Sequence, residues 1–305
     1  MTALTAATWT AEQVAAVTRA VNSAPVEYGH RPWRLRVLPG CFELTQVATP
    51  PGGTLDRLRR SRLISCGGAA RNLALAVGQL GRRPQVWLGP RPADPLLVAR
   101  VTPTEAAAPS PIDEARYRAI FHQRSRRGPL SGRPLPPGLA HRLLDAGVTA
   151  GAGLLPIAGE QLRATVSVLA ASVLAASVLA AAAANQAPIG PAPPVPLPAC
   201  GRVLLAVTVD DGPRDWVHAG WGLQNAWLTA TSHGLAGSVL AAALEAPGVR
   251  GALTERLGLA GYPQALLRLG WPHEHVAPRR DGSERKGANG PVAAAATGPT
   301  SPMGG

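Results

Sequence analysis

Residues 203–209 read Val-Leu-Leu-Ala-Val-Thr-Val, and beyond the turn Asp210-Asp211-Gly212-Pro213 the chain runs from Asp215 to His233 with apolar residues at Trp216, Ala219, Leu223, Ala226, Trp227 and Ala230. A short, unbroken and partly β-branched apolar run is the pattern of a strand buried on both faces. Apolar positions three and four apart form one stripe of a helix, here ending at His233-Gly234. Strand and helix therefore stand side by side in this part of the chain.

The same mixture appears on either side. Thr10 before Ala11-Glu12-Gln13 has the capping-box pattern, and Val14, Val17 and Val21 continue a helix to Asn22-Ser23. Residues 33–38 alternate Trp33, Leu35 and Val37 with Arg34 and Arg36, a strand pattern, and Cys41 to Val47 reads as its hairpin mate. Arg62 to Leu80 is a second helix, apolar at Ile64, Ala69, Leu73, Ala76 and Leu80 and closed by Gly81. A strand over 85–88 and a proline-rich stretch ending near Thr104 follow. Further helices are expected over 112–122, 136–146 and 253–257, and a last strand over 263–269.

Length and composition set the bounds. With 305 residues, 46% of them apolar, the chain can bury a substantial core. Gly (34) and Pro (31) are abundant but lack the three-residue period of collagen. Cys41, Cys66 and Cys200 share no short spacing, which argues against a disulfide scaffold or a cysteine-held zinc, and no metal site is expected. The net charge is +12, and every basic residue except Lys286 is arginine. These arginines are scattered through apolar segments instead of forming a basic run, so nucleic acid is not an expected partner, whereas a small anionic ligand is compatible.

The first residues lack the basic-then-apolar order of a signal peptide. Residues 166–184 carry no charge and contain the pentad Ser-Val-Leu-Ala-Ala at Ser167, Ser172 and Ser177. Their alanine content and missing aromatic belt point to a helix within a folded protein, not to a membrane span. A cytoplasmic location is the expectation.

Composition also marks the joints. Ala, Pro and Ser over 105–111 read as a linker, and prolines between 188 and 198 force an extended one. This divides the chain into residues 1–110, residues 111–280 with the Ala-rich helix and Pro-rich linker at 166–199, and a tail, 281–305, expected to be disordered. Neither Gly67-Gly68 nor Gly151-Ala152-Gly153 has the remaining glycines of a dinucleotide fingerprint, so a Rossmann oxidoreductase is disfavoured. No Ser/His/Asp or Cys/His constellation has a recognisable spacing, and no catalytic residue is assigned.

Four segments, in order, resemble one family. Residues 24–33, Ala-Pro-Val-Glu-Tyr-Gly-His-Arg-Pro-Trp, resemble the Ala-Pro-Ser-x-x-Asn-x-Gln-Pro-Trp turn of flavin-dependent nitroreductases. Residues 64–69 with Asn72-Leu73 resemble the next helix of an actinobacterial branch that includes dormancy-associated nitroreductase-like proteins. Residues 124–130, Arg-Ser-Arg-Arg-Gly-Pro-Leu, resemble that branch's basic motif. Residues 233–238, 257–259 and 262–272 resemble its closing module.

The resemblance implies an α+β, nitroreductase-like fold in which two nitroreductase-like halves are fused, a pseudo-dimer in one chain that acts as a monomer or as a homodimer. It implies FMN as cofactor, NAD(P)H and a small electron acceptor as partners, and hydride transfer to a nitro, quinone-like or unsaturated compound. By the same resemblance Arg124, Ser125, Arg127 and Arg280 would hold the phosphate. Pro25, Gly29, Arg31, Leu235, Ala236, Gly237 and Ser238 would line the ring. Guanidinium forks and a hydroxyl within four residues suit a dianionic phosphate, and a mostly apolar slot with backbone donors suits the ring.

The departures are informative. Where the family has Ser, Asn and Gln in the first motif, this chain has Val26, Gly29 and Arg31. Gly29 has no side chain to bond a flavin ring, and the middle of the chain holds Ala repeats and prolines in place of a charged lid. Two other readings follow: a catalytically weak protein that stores flavin or binds a partner, and a tailoring dehydrogenase of secondary metabolism.

Overall fold

The structure is a computed structural model that describes residues 9–26, 30–49, 58–125, 130–131, 133–161, 165, 168–169, 202–246 and 248–272. All of them fall in one compact unit, Met1–His273. The elements in chain order are α1 (Ala11–Asn22), β1 (Trp33–Leu38), β2 (Cys41–Gln46), α2 (Arg59–Gln79), β3 (Arg82–Leu88), β4 (Leu97–Ala106), α3 (Pro111–His122), α4 (Pro137–Gly147), β5 (Ala152–Ile157), β6 (Arg202–Thr208), α5 (Pro213–Ser232), β7 (Ala236–Leu240), α6 (Val249–Leu257) and β8 (Tyr262–Gly270).

The fold is α+β, with two four-stranded antiparallel sheets ordered β1-β2-β4-β3 and β5-β6-β8-β7. Each sheet thus repeats one topology, in which its last two strands exchange places. Each is preceded by a helix (α1, α4) and is interrupted after its second strand by a long helix (α2, α5), and those two long helices cross each other.

Local chemistry accounts for the elements. Thr10 accepts from the Gln13 amide while Gln13 returns a bond to the Thr10 amide, the expected capping box. At Pro39-Gly40 a two-residue turn joins Leu38 to its partner Cys41, and Gly40 takes φ 76°, which a side chain would oppose. The two-sided apolar run in β6 meets a different core on each face. Leu204 and Ala206 pack with α4 and α5, whereas Val203 and Leu205 pack with Leu253 of α6 and with Val168 and Leu169.

Two stretches differ from the sequence reading. The proline-rich stretch before Thr104 is largely strand β4. Its Pro103 pairs with Pro84 of β3 at an irregularity, beyond the residues 97–101 to which β2 bonds, so the missing N–H interrupts no inner ladder. Gly151-Ala152-Gly153 leads into β5, where Pro156 is tolerated because β5 is an edge strand. Of the Ala-rich segment only Val168 and Leu169 are described; they are helical and buried. The Pro-rich linker and the tail 281–305 lie outside the described residues.

Both long helices are buried over most of their length. A Cβ at Gly67 would strike the carbonyl of Val217, and one at Gly220 would strike the carbonyl of Ile64. The absence of side chains at these two positions therefore sets how closely the helices cross.

Candidate functional site

After α3 the chain enters the basic segment. Arg124 is exposed, and its guanidinium Nη1 donates to the carbonyls of Phe121 (3.0 Å) and Gln123 (2.8 Å). Among the described residues no carboxylate pairs with it, so its charge remains open to an anion. Ser125 is exposed and forms a parallel backbone bridge with Gly237 of β7. Farther along, Leu130 pairs with Pro272, and the Ser131 amide donates to the Trp271 carbonyl at 2.9 Å. The basic segment is thus laid against the β7–β8 end of the second sheet.

That end of the sheet is closely packed. Leu235, Gly237 and Ser238 are buried and Ala236 half-buried. A Cβ on Gly237 would come within 2.7 Å of Leu269, 2.8 Å of the Arg268 carbonyl and 3.0 Å of the Trp227 indole nitrogen. Among the described residues, the buried Ser238 hydroxyl and Trp227 indole N–H have no hydrogen-bond partner. Orphaned donors of this kind cost free energy unless something accepts from them. Arg268, fully buried, stands opposite Ser238 in the ladder.

The structure therefore brings together Arg124, Ser125, Gly237 and Ser238. Pro25 is half-buried at the end of the α1 turn. Arg31 is exposed and its Nε donates to the Asn22 carbonyl at 3.3 Å, so it folds back on the end of α1. Pro32-Trp33 acts as a core anchor: Trp33 is buried, and the Pro32 carbonyl accepts from the Val47 amide (2.9 Å) and the Cys66 thiol (3.6 Å). Gly29, Arg127 and Arg280 lie outside the described residues.

Other side chains were not among the site residues expected from the sequence, although Asn72 lies in one of the segments that carried the resemblance. Arg60, at the start of α2, reaches across to the second sheet, bonding the carbonyls of Gln264 and Ala241 (3.1 Å) and pairing with Glu245 at 3.3 Å. Gln123, Asn72 and Gln224 are buried amides in a helical interior. Gln224 lies beside the apolar stripe of α5, and a polar residue there is the one visible hint.

Burial leaves its mark on two ionisable groups. It pushes the Cys66 thiol up to about 12. It pushes the His218 imidazole below its usual range, with Arg214 adding to the effect, and neither ring nitrogen has a partner.

The exposed Arg124 and the buried Ser238 thus lie on two segments joined by the Ser125–Gly237 bridge. No family profile matches the chain. It is 29% identical, with 88% of both chains covered, to a Mycobacterium tuberculosis protein (strain CDC 1551 / Oshkosh) provisionally named an NAD(P)H nitroreductase, and matches the equivalent protein of strain H37Rv to the same extent. Both relatives are thus similar to this chain along most of its length.

Two solved structures are also similar to this chain. A Bacteroides fragilis nitroreductase with bound FMN is 16% identical, covering 61% of this chain and 100% of that one, with a TM-score of 0.40. An FMN- and NADPH-dependent nitroreductase from Sphigopyxis sp. strain HMH is 20% identical, covering 52% and 89%, with a TM-score of 0.38. Among the described residues, no helix is long and apolar enough to cross a membrane.

Proposed function

We propose that the chain is an FMN-dependent oxidoreductase that takes hydride from NAD(P)H and passes it to a small nitro, quinone-like or unsaturated acceptor. The observation that carries the reading is the Ser125–Gly237 bridge, which joins the segment bearing Arg124 to β7, the strand that bears Ser238. The names of the mycobacterial relatives support the same chemistry.

In this reading Arg124 and Ser125, with Arg127 and Arg280, hold the phosphate. Pro25, Gly29, Arg31 and residues 235–238 line the ring. The bound flavin supplies the hydride chemistry, and the protein's part is to orient it and shape the acceptor pocket. Residues 1–110 and 111–280 form the two halves, which the repeated sheet topology supports. Dependence on NAD(P)H, a cytoplasmic reductant, supports a cytoplasmic setting.

One observation favours the flavin-storage reading. Arg31 is committed to the Asn22 carbonyl, and Gly29 offers no side chain, so neither replaces the ring contacts of the family's Gln and Asn.

Purified protein distinguishes these outcomes. Bound FMN that NADH or NADPH bleaches anaerobically supports the oxidoreductase, and bound FMN that neither bleaches supports storage. A protein that fails to take up added FMN defeats both.

A further inference from the structure

Three buried amide side chains form a continuous hydrogen-bonded relay across four helices. The Asn72 side-chain amide of α2 donates to the Ala20 carbonyl of α1 at 2.9 Å. Gln224 of α5 donates to Asn72 Oδ1 at 2.9 Å and, with its second hydrogen, to Gln123 Oε1 at 2.9 Å. Gln123, the C-cap of α3, returns a bond from its Nε2 to Gln224 Oε1 at 3.2 Å. Gln224 thus uses both donor hydrogens and its acceptor, and Asn72 is fully buried.

The two ends of the relay fix its significance. One end is the last turn of α1, which leads into the Pro25 turn. The other is Gln123, the residue immediately before Arg124 and Ser125. Gln123 is buried while its neighbours are exposed, so its side chain is what ties the segment to the interior. A reciprocal amide pair fixes both distance and rotation, unlike a single bond. The contact of Arg19 with the Phe121 ring, 5.5 Å from guanidinium carbon to centroid, joins α1 to α3 beside it.

We propose that Gln224 is a positioning residue for the anion-binding segment. Through Gln123 it sets where Arg124 and Ser125 lie against β7, and through Asn72 it references that position to the turn after α1. The relay couples the Arg124–Ser125 segment to the last turn of α1, so neither can shift without breaking a buried bond. The assignment of a phosphate to that segment rests on the proposed function, but the coupling itself does not.

The test has one arm without flavin and one with it. In the flavin-free chain, Gln224→Met keeps the volume and removes the hydrogen bonds. It should raise amide exchange over residues 123–125 about tenfold while the crossing of α2 and α5 stays protected. Unchanged exchange there, or an equal rise along both long helices, would overturn the proposal. Gln123→Met, nearer the surface, should reproduce the local effect if Gln224→Met does not fold. With FMN, each single variant should weaken binding about tenfold, and the double variant should be no worse than either one; additive losses would overturn it. If the unaltered chain binds no FMN, the proposed function fails, and the exchange arm alone decides the relay.

Discussion

Gly67 of α2 and Gly220 of α5 face each other across one crossing, each occupying the space beneath the carbonyl three residues upstream of the other, Val217 for Gly67 and Ile64 for Gly220. The contact is reciprocal, in keeping with the matched strand order of the two sheets. A helical glycine costs about 1 kcal/mol relative to alanine. Here closer approach of two long buried helices offsets that cost.

Replacing either glycine by alanine should therefore destabilise the protein. The propensity gain is outweighed by overpacking against rigid backbone, for a net loss of about 2 kcal/mol. Gly78, in α2 with nothing within 4 Å of its absent Cβ, is the control. Gly78→Ala should be neutral or stabilising by up to about 1 kcal/mol. Urea unfolding midpoints of the three variants would decide.

Among the described residues Arg124 has no partner carboxylate, and only its two hydrogen bonds to the Phe121 and Gln123 carbonyls are lost on truncation, so Arg124→Ala should lower the melting temperature of the flavin-free protein only slightly. If it grips phosphate, FMN should bind about tenfold more weakly, as the loss of a charge-assisted hydrogen bond predicts. Fluorescence titration of FMN measures this.

Arg60 is held between two carbonyls and Glu245 and is 4% exposed. Arg60→Met should cost about 3 kcal/mol or more, because it leaves a largely buried carboxylate without its cation. Arg60→Met combined with Glu245→Gln should recover part of that loss, which chemical denaturation of the pair would reveal.

The Cys66 thiol, pushed up to about 12 by burial, holds almost no thiolate at neutral pH. In the folded protein the peptide containing Cys66 should stay unmodified by iodoacetamide and become alkylated once urea unfolds the chain. Peptide mapping by mass spectrometry follows both states.

His218 predicts a pH effect. Its folded pKa lies below the unfolded value of about 6.5, so the unfolded chain takes up a proton first as pH falls. Its contribution to stability is full above that value and is lost as pH drops from there towards the folded pKa. His218→Leu should lessen the fall in urea midpoint between pH 7.5 and pH 5.5; an unchanged slope would place the acid sensitivity elsewhere.

Much of this was legible in the sequence, for identifiable reasons. The capping box at Thr10 and Gln13, the apolar stripe of α5 and the two-sided run of β6 depend on neighbours within a few residues, and each appears at or close to its expected bounds. Strand β4 was hidden because Pro103 is acceptable only where β2 has stopped pairing, a tertiary circumstance. At the site, the basic segment and residues 235–238 could be quoted from resemblance, yet their meeting depends on Ser125 pairing with a residue 112 positions away. The Asn72–Gln224–Gln123 relay was invisible for the same reason: amides in helices show their purpose only when the helices cross.

The interlocked glycines carry one last consequence. Because α2 and α5 belong to a single polypeptide, their encounter happens at the local concentration set by the intervening chain and not by the solution. An architecture built on this crossing keeps its two long helices packed at any dilution, so their contact is made as fully in a scarce protein as in an abundant one.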